Sequence, residues 1–148
     1  MHGGRHIVIK SILALLAAAF LVTACEDAPP PPPVAAAPQV RTFLIFFDFD
    51  RAVLTPRARD IVKEAANVSK AGQNTRLTVT GHTDTAGPAN YNMALSLRRA
   101  NAVKDQLVRE GVPTGQIAVV GKGEDELLVK TRDGVREPQN RRVEIVIR

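Results

Sequence analysis

The chain has 148 residues, no tryptophan and an aromatic content of only 4%, so a hydrophobic core has to be built mainly from valine, isoleucine, leucine and alanine. Its net charge of +5 comes from arginines and lysines that alternate with acids, and no basic stripe is interleaved with aromatics, which argues against a nucleic-acid-binding protein. The single cysteine excludes an internal disulfide, and the length suits one folded domain.

Residues 1–24 are typical of a bacterial secretory signal peptide. Arg5 and Lys10 give a positive start, and the apolar run that follows is shorter than the roughly 20 residues of a membrane-spanning helix. The run ends in Val22-Thr23-Ala24 directly before Cys25, which resembles a lipobox. That resemblance implies cleavage before Cys25 and lipidation of its thiol. The alternatives are an ordinary signal peptide with a chance cysteine, or a poor membrane anchor.

Residues 25–41 are predicted to be the lipidated cysteine and a proline- and alanine-rich tether. Five consecutive prolines at positions 29–33 favour polyproline II, a semi-rigid spacer that reaches roughly 45 Å at about 3.1 Å per residue. The following domain should therefore work close to a membrane. We expect the lipid in the outer membrane, facing the periplasm. Glu26 and Asp27 can oppose export there in some bacteria, which leaves the inner membrane as the alternative.

Residues 42–148 are predicted to form one domain. Residues 42–49 read as a buried strand, and a helix starts at the cap Thr55 with Pro56 in its first turn and stops at Gly72. A strand over 76–81, a helix from about 89 to 110 ended by Gly111, and strands over 116–120 and 142–147 complete the pattern. The order β-α-β-α-β-β predicts an α+β fold with two helices on one face of a small sheet.

Two opposite charges are predicted to face one cleft in this domain. Asp84 lies in the loop after the second strand, and Arg99 lies on the long helix. Asn92, Ser96 and Arg99 share one helix face that can turn towards this loop. A guanidinium clamps a carboxylate and an aspartate accepts from an ammonium, so the pair suits a zwitterionic group. The alternative is a structural ion pair.

Five motifs at consistent spacing resemble the OmpA-like peptidoglycan-binding domain family, over roughly residues 42–148. They are Phe47-Asp48-Phe49-Asp50, Gly81-His82-Thr83-Asp84-Thr85-Ala86-Gly87, the helix pattern from Tyr91 and Asn92 through Leu95, Ser96 and Arg99 to Leu107, Gly121-x-Gly123-Glu124, and Asn140-Arg141-Arg142-Val143-Glu144-Ile145. The resemblance implies a mixed four-stranded sheet. It also implies non-covalent binding of the diaminopimelate of the peptidoglycan stem peptide. A protein with a lipid anchor that binds in this way would tie its membrane to the cell wall.

The resemblance also implies the roles of individual residues. Asp84 and Arg99 carry over as ligands of the diaminopimelate end, and Asn92 and Leu95 carry over as pocket residues. Phe49 and Asp50 contribute from the end of the first strand, where Asp48 is the less favoured alternative. The family pattern suggests that residues 140–142 buttress the fold near the pocket, although a basic contact patch is the other interpretation.

No enzyme activity, cofactor or metal site is expected. His82 is the single histidine after the predicted leader, and a metal would require further histidine or cysteine ligands. A peptidoglycan hydrolase using Asp84 or Glu124 with His82 is the enzymatic alternative. A protein-interaction adaptor that binds Tol-type periplasmic proteins is the other, and it is compatible with wall binding. A flagellar stator subunit would need a true membrane-spanning helix.

Overall fold

The structure, a computed structural model, describes residues 39–148. The predicted signal peptide, Cys25 and nearly all of the predicted tether lie outside these residues. The elements follow the order strand, helix, strand, helix, strand, strand, with one short 3-10 turn before each of the last two strands. Those turns are Thr114–Gln116 and Pro138–Asn140.

The four strands form one mixed sheet, which confirms the predicted α+β fold. They are β1 (Arg41–Phe46), β2 (Leu77–Gly81), β3 (Ile117–Gly121) and β4 (Arg142–Ile147), in the spatial order β1-β4-β2-β3. Strand β4 is antiparallel to both β1 and β2, while β2 and β3 are parallel. Consequently β1, β2 and β3 all end at the same edge of the sheet.

Strand β1 ends three residues earlier than the sequence predicted. The peptide N–H of Arg51 donates to the carbonyl of Asp48 at 3.2 Å, and Asp50 adopts a positive φ of 55°. Aspartate tolerates this left-handed conformation better than a β-branched residue does. The predicted strand over 42–49 is therefore a strand followed by a tight turn.

The helices begin and end at residues that the sequence singled out. Helix α1 spans Pro56–Ala71, and the side chain of Thr55 accepts from the N–H of Ala58 at 3.1 Å. Such a cap satisfies one of the unpaired amides of the first turn. Helix α2 spans Ala89–Arg109 and is followed by Gly111, whose φ of 93° favours glycine.

The core lies between the helices and one face of the sheet. Alternate strand residues point into it, and cross-strand partners such as Ile45 with Val143 and Val79 with Ile145 lie on the same side. Helix residues Val62, Ala65, Ala100, Val103 and Leu107 fill the other side. All of these residues fall between positions 43 and 147, so the segment 39–148 carries its own complete core and can be studied as a folded unit.

Candidate functional site

One edge of the sheet gathers the segments that the motifs occupy. The turn after β1, the loop after β2, the turn after β3 and the start of β4 all meet there, and α2 begins at the same edge. The carbonyl of Arg142 accepts from the N–H of His82 at 2.8 Å, and the carbonyl of Gly123 accepts from the N–H of Thr83 at 2.8 Å. These bonds join motifs that are far apart in the chain.

Asp84 lies almost wholly buried in the loop after β2, at 3% exposure. Its Oδ2 accepts from Arg141 Nη1 at 3.3 Å and from the N–H of Glu137 at 3.2 Å, while Oδ1 accepts from the N–H of Ala86 at 3.4 Å. Arg141 Nε also donates to the carbonyl of Phe47 at 3.1 Å. The Asp84 carboxylate is thus held between the start of β4 and its own loop.

Arg99 is fully buried on α2, and its guanidinium donates to three backbone carbonyls. Nε reaches Arg51 at 2.8 Å, Nη1 reaches His82 at 3.0 Å and Nη2 reaches Asp48 at 3.1 Å. An arginine has five N–H donors, so these three bonds leave two N–H groups for other acceptors. The side chain therefore joins the turn after β1 to the loop after β2 and retains donor capacity.

The buried position of Arg99 perturbs its acidity. Burial lowers the pKa of the Arg99 guanidinium to about 10, and the nearby Asp84 carboxylate partly opposes that shift. The group remains protonated at neutral pH. The guanidinium carbon of Arg99, Cζ, lies 5.4 Å from the centre of the Phe47 ring, so the cation packs against an aromatic face. A positive charge is therefore held inside this edge of the domain.

Asn92 and Ser96 attach the same face of α2 to the neighbouring loops. Asn92 Nδ2 donates to the carbonyl of Asp84 at 3.2 Å and to Glu124 Oε2 at 2.5 Å. Ser96 Oγ accepts from the N–H of Gly123 at 2.9 Å. Leu95 is buried beside them at 5% exposure. The helix face predicted from spacing does turn towards the Asp84 loop.

Close packing of α2 on the sheet depends on paired glycines at the ends of β2 and β3. A Cβ at Gly81 would lie 2.0 Å from the carbonyl oxygen of Ser96, and a Cβ at Gly121 would lie 2.5 Å from Leu97 Cγ. Both contacts are shorter than atoms tolerate, and the first is with backbone. Glycine at these two positions lets the helix carry Asn92 and Arg99 down onto the sheet edge.

Phe49 and Asp50 form an exposed rim above the buried residues. The Tyr91 hydroxyl donates to Asp50 Oδ1, and the Arg136 guanidinium carbon lies 3.8 Å from the centre of the Phe49 ring. These side chains border an open groove of about 490 Å³, which is lined by Phe49, Asp50, Ala86, Gly87, Pro88, Tyr91, Gly134 and Arg136. The accessible surface of this groove therefore carries one acidic side chain, Asp50, and one basic side chain, Arg136.

A segment of the long loop, residues 131–137, forms one wall of this groove through Gly134 and Arg136, and we call it the strap. The Thr85 hydroxyl donates to the carbonyl of Arg132 at 2.8 Å and accepts from the N–H of Val135 at 3.2 Å. The carbonyl of Thr85 accepts from the N–H of Gly134 at 2.9 Å. Through these bonds the strap covers the Asp84 loop, which explains why Asp84 and Thr85 are buried.

The structure thus brings all six predicted ligand-binding residues to one edge, in two layers. Asp84, Asn92, Leu95 and Arg99 are buried, whereas Phe49 and Asp50 lie at the rim. The Asp84 carboxylate makes its ion pair with Arg141, in keeping with the predicted buttressing role of residues 140–142. Arg136 and Tyr91 were not identified from the sequence as site residues, and no local pattern marks the contact of Arg136 with a residue 87 positions earlier.

His82 is not arranged as the enzymatic alternative requires. It is buried, both ring nitrogens lack a hydrogen-bond partner, and its Nε2 lies 3.8 Å from Glu144 Oε1. The carboxylates of Asp84 and Glu124 instead make hydrogen bonds with other residues. Burial, together with the positive charge of Arg142, lowers the pKa of His82, so the folded state favours the neutral imidazole.

The lowered pKa of His82 predicts a loss of stability in mild acid. Below about pH 6.5 the unfolded chain protonates this histidine while the folded chain resists, so the free energy of unfolding should fall, by at most about 1.4 kcal/mol per pH unit. Above about pH 7.5 the imidazole is neutral in both states and the effect vanishes. Urea unfolding of residues 39–148 between pH 7.5 and 5.5 measures it. A His82→Gln variant should show a flatter profile, since His82 is the one histidine of this segment, and an equal slope in both proteins would contradict the assignment.

Residues 39–148 contain neither a metal-binding cluster nor a membrane-spanning helix. No group of three or more histidine, cysteine, aspartate or glutamate side chains there is arranged to hold a metal ion. None of the helices within residues 39–148 combines the length and the apolar character needed to cross a membrane.

Comparison with known protein families gives one match that spans most of the described domain. Residues 46–141 match the model of the OmpA family. The matched region begins at the end of β1 and includes both helices and every residue of the two layers described above.

Individual relatives agree with this match. An outer membrane protein of Gluconacetobacter diazotrophicus is 53% identical over 76% of this chain and 31% of its own length. The peptidoglycan-associated lipoprotein of Pseudomonas aeruginosa is 39% identical over 68% of this chain and 59% of its own. The chain thus spans less than two thirds of the length of these relatives.

A solved structure shows the same fold. The crystal structure of the peptidoglycan-associated lipoprotein from Burkholderia pseudomallei superposes with a TM-score of 0.66 at 28% sequence identity. The superposition covers 71% of this chain and 89% of that one. These relatives are named for a location or for an association with the cell wall.

Proposed function

The chain belongs to the OmpA family, and we propose that its domain binds the peptidoglycan stem peptide without covalent attachment, through the amino-acid end of diaminopimelate. The observation that carries this proposal is the burial of two neighbouring opposite charges, Asp84 and Arg99, at the edge of the domain that also carries the open groove. An envelope location is part of the proposal, and relatives named as outer membrane proteins support it.

The chemistry of the pair suits an ammonium and a carboxylate on one carbon. Arg99 retains two N–H groups after its three bonds to backbone carbonyls, and parallel N–H donors can take both oxygens of a carboxylate. Asp84 is acceptor-only when ionised and can receive an ammonium. At the rim, Asp50 and Arg136 offer a second pair of opposite charges to the neighbouring part of the peptide.

Access to the buried layer requires the strap to move. Arg99 and Asp84 are 0% and 3% exposed, so a ligand reaches them only when residues 131–137 shift and Arg136 leaves the Phe49 ring. A cation–π contact at an exposed site is worth about 0.5–1 kcal/mol, and each hydrogen bond of the strap to Thr85 or Asp84 contributes about 0.5–1.5 kcal/mol more, so bonds to the ligand have to offset both. In this proposal the strap then closes over the bound peptide.

The proposed affinity for one peptide is modest. Each charge-assisted hydrogen bond contributes about 1.5–3 kcal/mol net, and part of that is offset by moving the strap. A lipid-anchored population facing a polymeric wall gains from high effective concentration, so weak individual contacts suffice for attachment. We propose a binding role and no catalytic one. The His82 imidazole makes no hydrogen bond within residues 39–148 and the Asp84 and Glu124 carboxylates bond to other residues, which supports this assignment.

The function is tested by co-sedimentation of residues 39–148 with insoluble peptidoglycan sacculi. We expect the protein in the pellet, and we expect soluble meso-diaminopimelate to release it. Cadaverine is the matched control compound because it has the two amino groups on the same five-carbon spacing without either carboxyl group, and it should release much less. Equal release by both compounds, or absence of the protein from the pellet, would contradict the proposal.

We further propose that Cys25 carries the lipid that holds the protein on the outer membrane, with residues 26–40 as the tether. The lipobox-like segment of the sequence supports this assignment. Cys25→Ser should release the full-length protein from the membrane fraction of expressing cells, because more than one acyl chain is what makes such anchoring stable. Thr23→Ser keeps the cysteine and should stay membrane-bound. Unchanged membrane association of Cys25→Ser would rule out the lipid anchor.

A further inference from the structure

The edge of the sheet opposite the site carries three exposed arginines. Arg41 begins β1, Arg148 follows β4, and Arg76 precedes β2. The backbones of Arg76 and Arg148 bond to each other in both directions at 2.9 and 3.0 Å, and Arg41 lies opposite Ile147 in the β1–β4 register. The three side chains therefore project from one short stretch of the sheet edge, which we call the arginine edge.

The guanidinium groups of the arginine edge are free to bind an anion. Within residues 39–148 their side chains make no hydrogen bond or ion pair, unlike Arg141 and Arg142 at the site. Arg41 and Arg148 border a groove of about 480 Å³ that also contacts the end of α1. Next to Arg41, Val40 is 58% exposed, so an apolar side chain accompanies the charges.

The arginine edge carries a local cluster of positive charge. Lys70, at the end of α1, adds a further cation near the arginine edge, with its Nζ bonded to the backbone carbonyl of Glu110 at 2.9 Å. The Glu110 carboxylate at this end accepts from Gln106. The opposite edge carries both signs of charge, with the acids Asp48, Asp50, Asp84, Glu124, Asp125 and Glu126 beside the bases Arg51, Lys122, Arg136 and Arg141.

We propose that the arginine edge binds the anionic headgroups of the membrane that holds the lipid anchor. This inference rests on the proposed anchor. The tether joins the domain at Arg41, so the arginine edge is the part of the domain nearest to the lipid along the chain. Guanidinium groups bind phosphate oxygens with two donors, and a small exposed apolar residue beside them suits the headgroup boundary. The site edge then faces away from the membrane, towards the wall.

Vesicle sedimentation of residues 39–148, which lack the anchor, tests the proposal. At low salt the protein should pellet with phosphatidylglycerol vesicles and not with phosphatidylcholine vesicles, and salt at about 0.3 M should release it because charges at the surface are screened. Replacing Arg41, Arg76 and Arg148 together by glutamine should lower the partition coefficient onto the anionic vesicles by about 100-fold. Each basic residue contributes about fivefold, and the three contributions multiply.

A matched variant separates a specific edge from the net charge of the domain. Arg57, Lys63 and Arg98 are exposed on the helices, so replacing them by glutamine removes the same three charges elsewhere. This control should bind the anionic vesicles nearly as the unmodified protein does. Equal losses in both triple variants, or equal binding to both kinds of vesicle, would overturn the proposal.

The same proteins distinguish this inference from the proposed function. The variant of the arginine edge should still sediment with sacculi, because its substitutions lie at the end of the domain opposite Asp84 and Arg99. Vesicle binding without sacculus binding would leave the lipid contact standing and remove the wall contact. Sacculus binding without vesicle binding would do the reverse.

Discussion

Arg99→Ala is expected to abolish binding to sacculi and to lower the free energy of unfolding of residues 39–148 by about 3–5 kcal/mol. The substitution leaves the carbonyls of Asp48, Arg51 and His82 without their donor in a site that water barely reaches. It also removes one of the two cations near the buried Asp84 carboxylate, which keeps its ion pair with Arg141. Urea denaturation and sacculus sedimentation on the same preparation measure the two effects.

Two further variants make the Arg99 result interpretable. Arg98→Ala removes a neighbouring exposed arginine of the same helix and should change stability by less than about 0.5 kcal/mol. Arg99→Lys keeps the charge but has no planar fork, so it should fold better than Arg99→Ala and still bind sacculi poorly. Full binding by Arg99→Lys would show that charge alone is sufficient, and full stability of Arg99→Ala would contradict the structural role of the three bonds.

Local sequence rules predicted the elements of this fold because their causes are local. The Thr55 hydroxyl bonds an amide three residues away, and the positive φ of Gly111 depends on its own missing side chain. The period-two pattern of Val143, Ile145 and Ile147 likewise follows from strand geometry. The mixed character of the sheet came from the family resemblance, and the spatial order β1-β4-β2-β3 was not predicted, since element order alone left the pairing of the strands open.

The site was predictable as a group of residues and much less so as a set of contacts. Spacing placed Asn92, Ser96 and Arg99 on one helix face, and each of them does contact a loop at the site edge. The ion partner of Asp84, by contrast, is 57 positions away, and the strap closes through a threonine hydroxyl to backbone groups. Such contacts depend on the assembled edge and leave no periodic signal in the chain.

Asp84→Asn is expected to weaken binding to sacculi by about 10- to 100-fold, while residues 39–148 remain folded. The amide keeps the shape of the carboxylate but loses the negative charge that would receive an ammonium, and a charge-assisted hydrogen bond is worth about 1.5–3 kcal/mol. Binding is measured as the bound fraction over a range of sacculus concentrations. Urea unfolding in parallel reports what the loss of the ion pair with Arg141 costs.

Glu144→Gln is the matched control for Asp84→Asn, because it weakens a comparable ion pair at the start of β4. Glu144 pairs with Arg142 at 2.7 Å and Asp84 pairs with Arg141 at 3.3 Å, and both arginines are largely buried, while the Glu144 carboxylate is the more exposed of the two acids. If Asp84 were only a structural partner, the two variants would lose stability and sacculus binding in the same proportion. A selective loss of binding in Asp84→Asn identifies its carboxylate as a ligand, since the two variants differ in whether the lost charge lies beneath the groove.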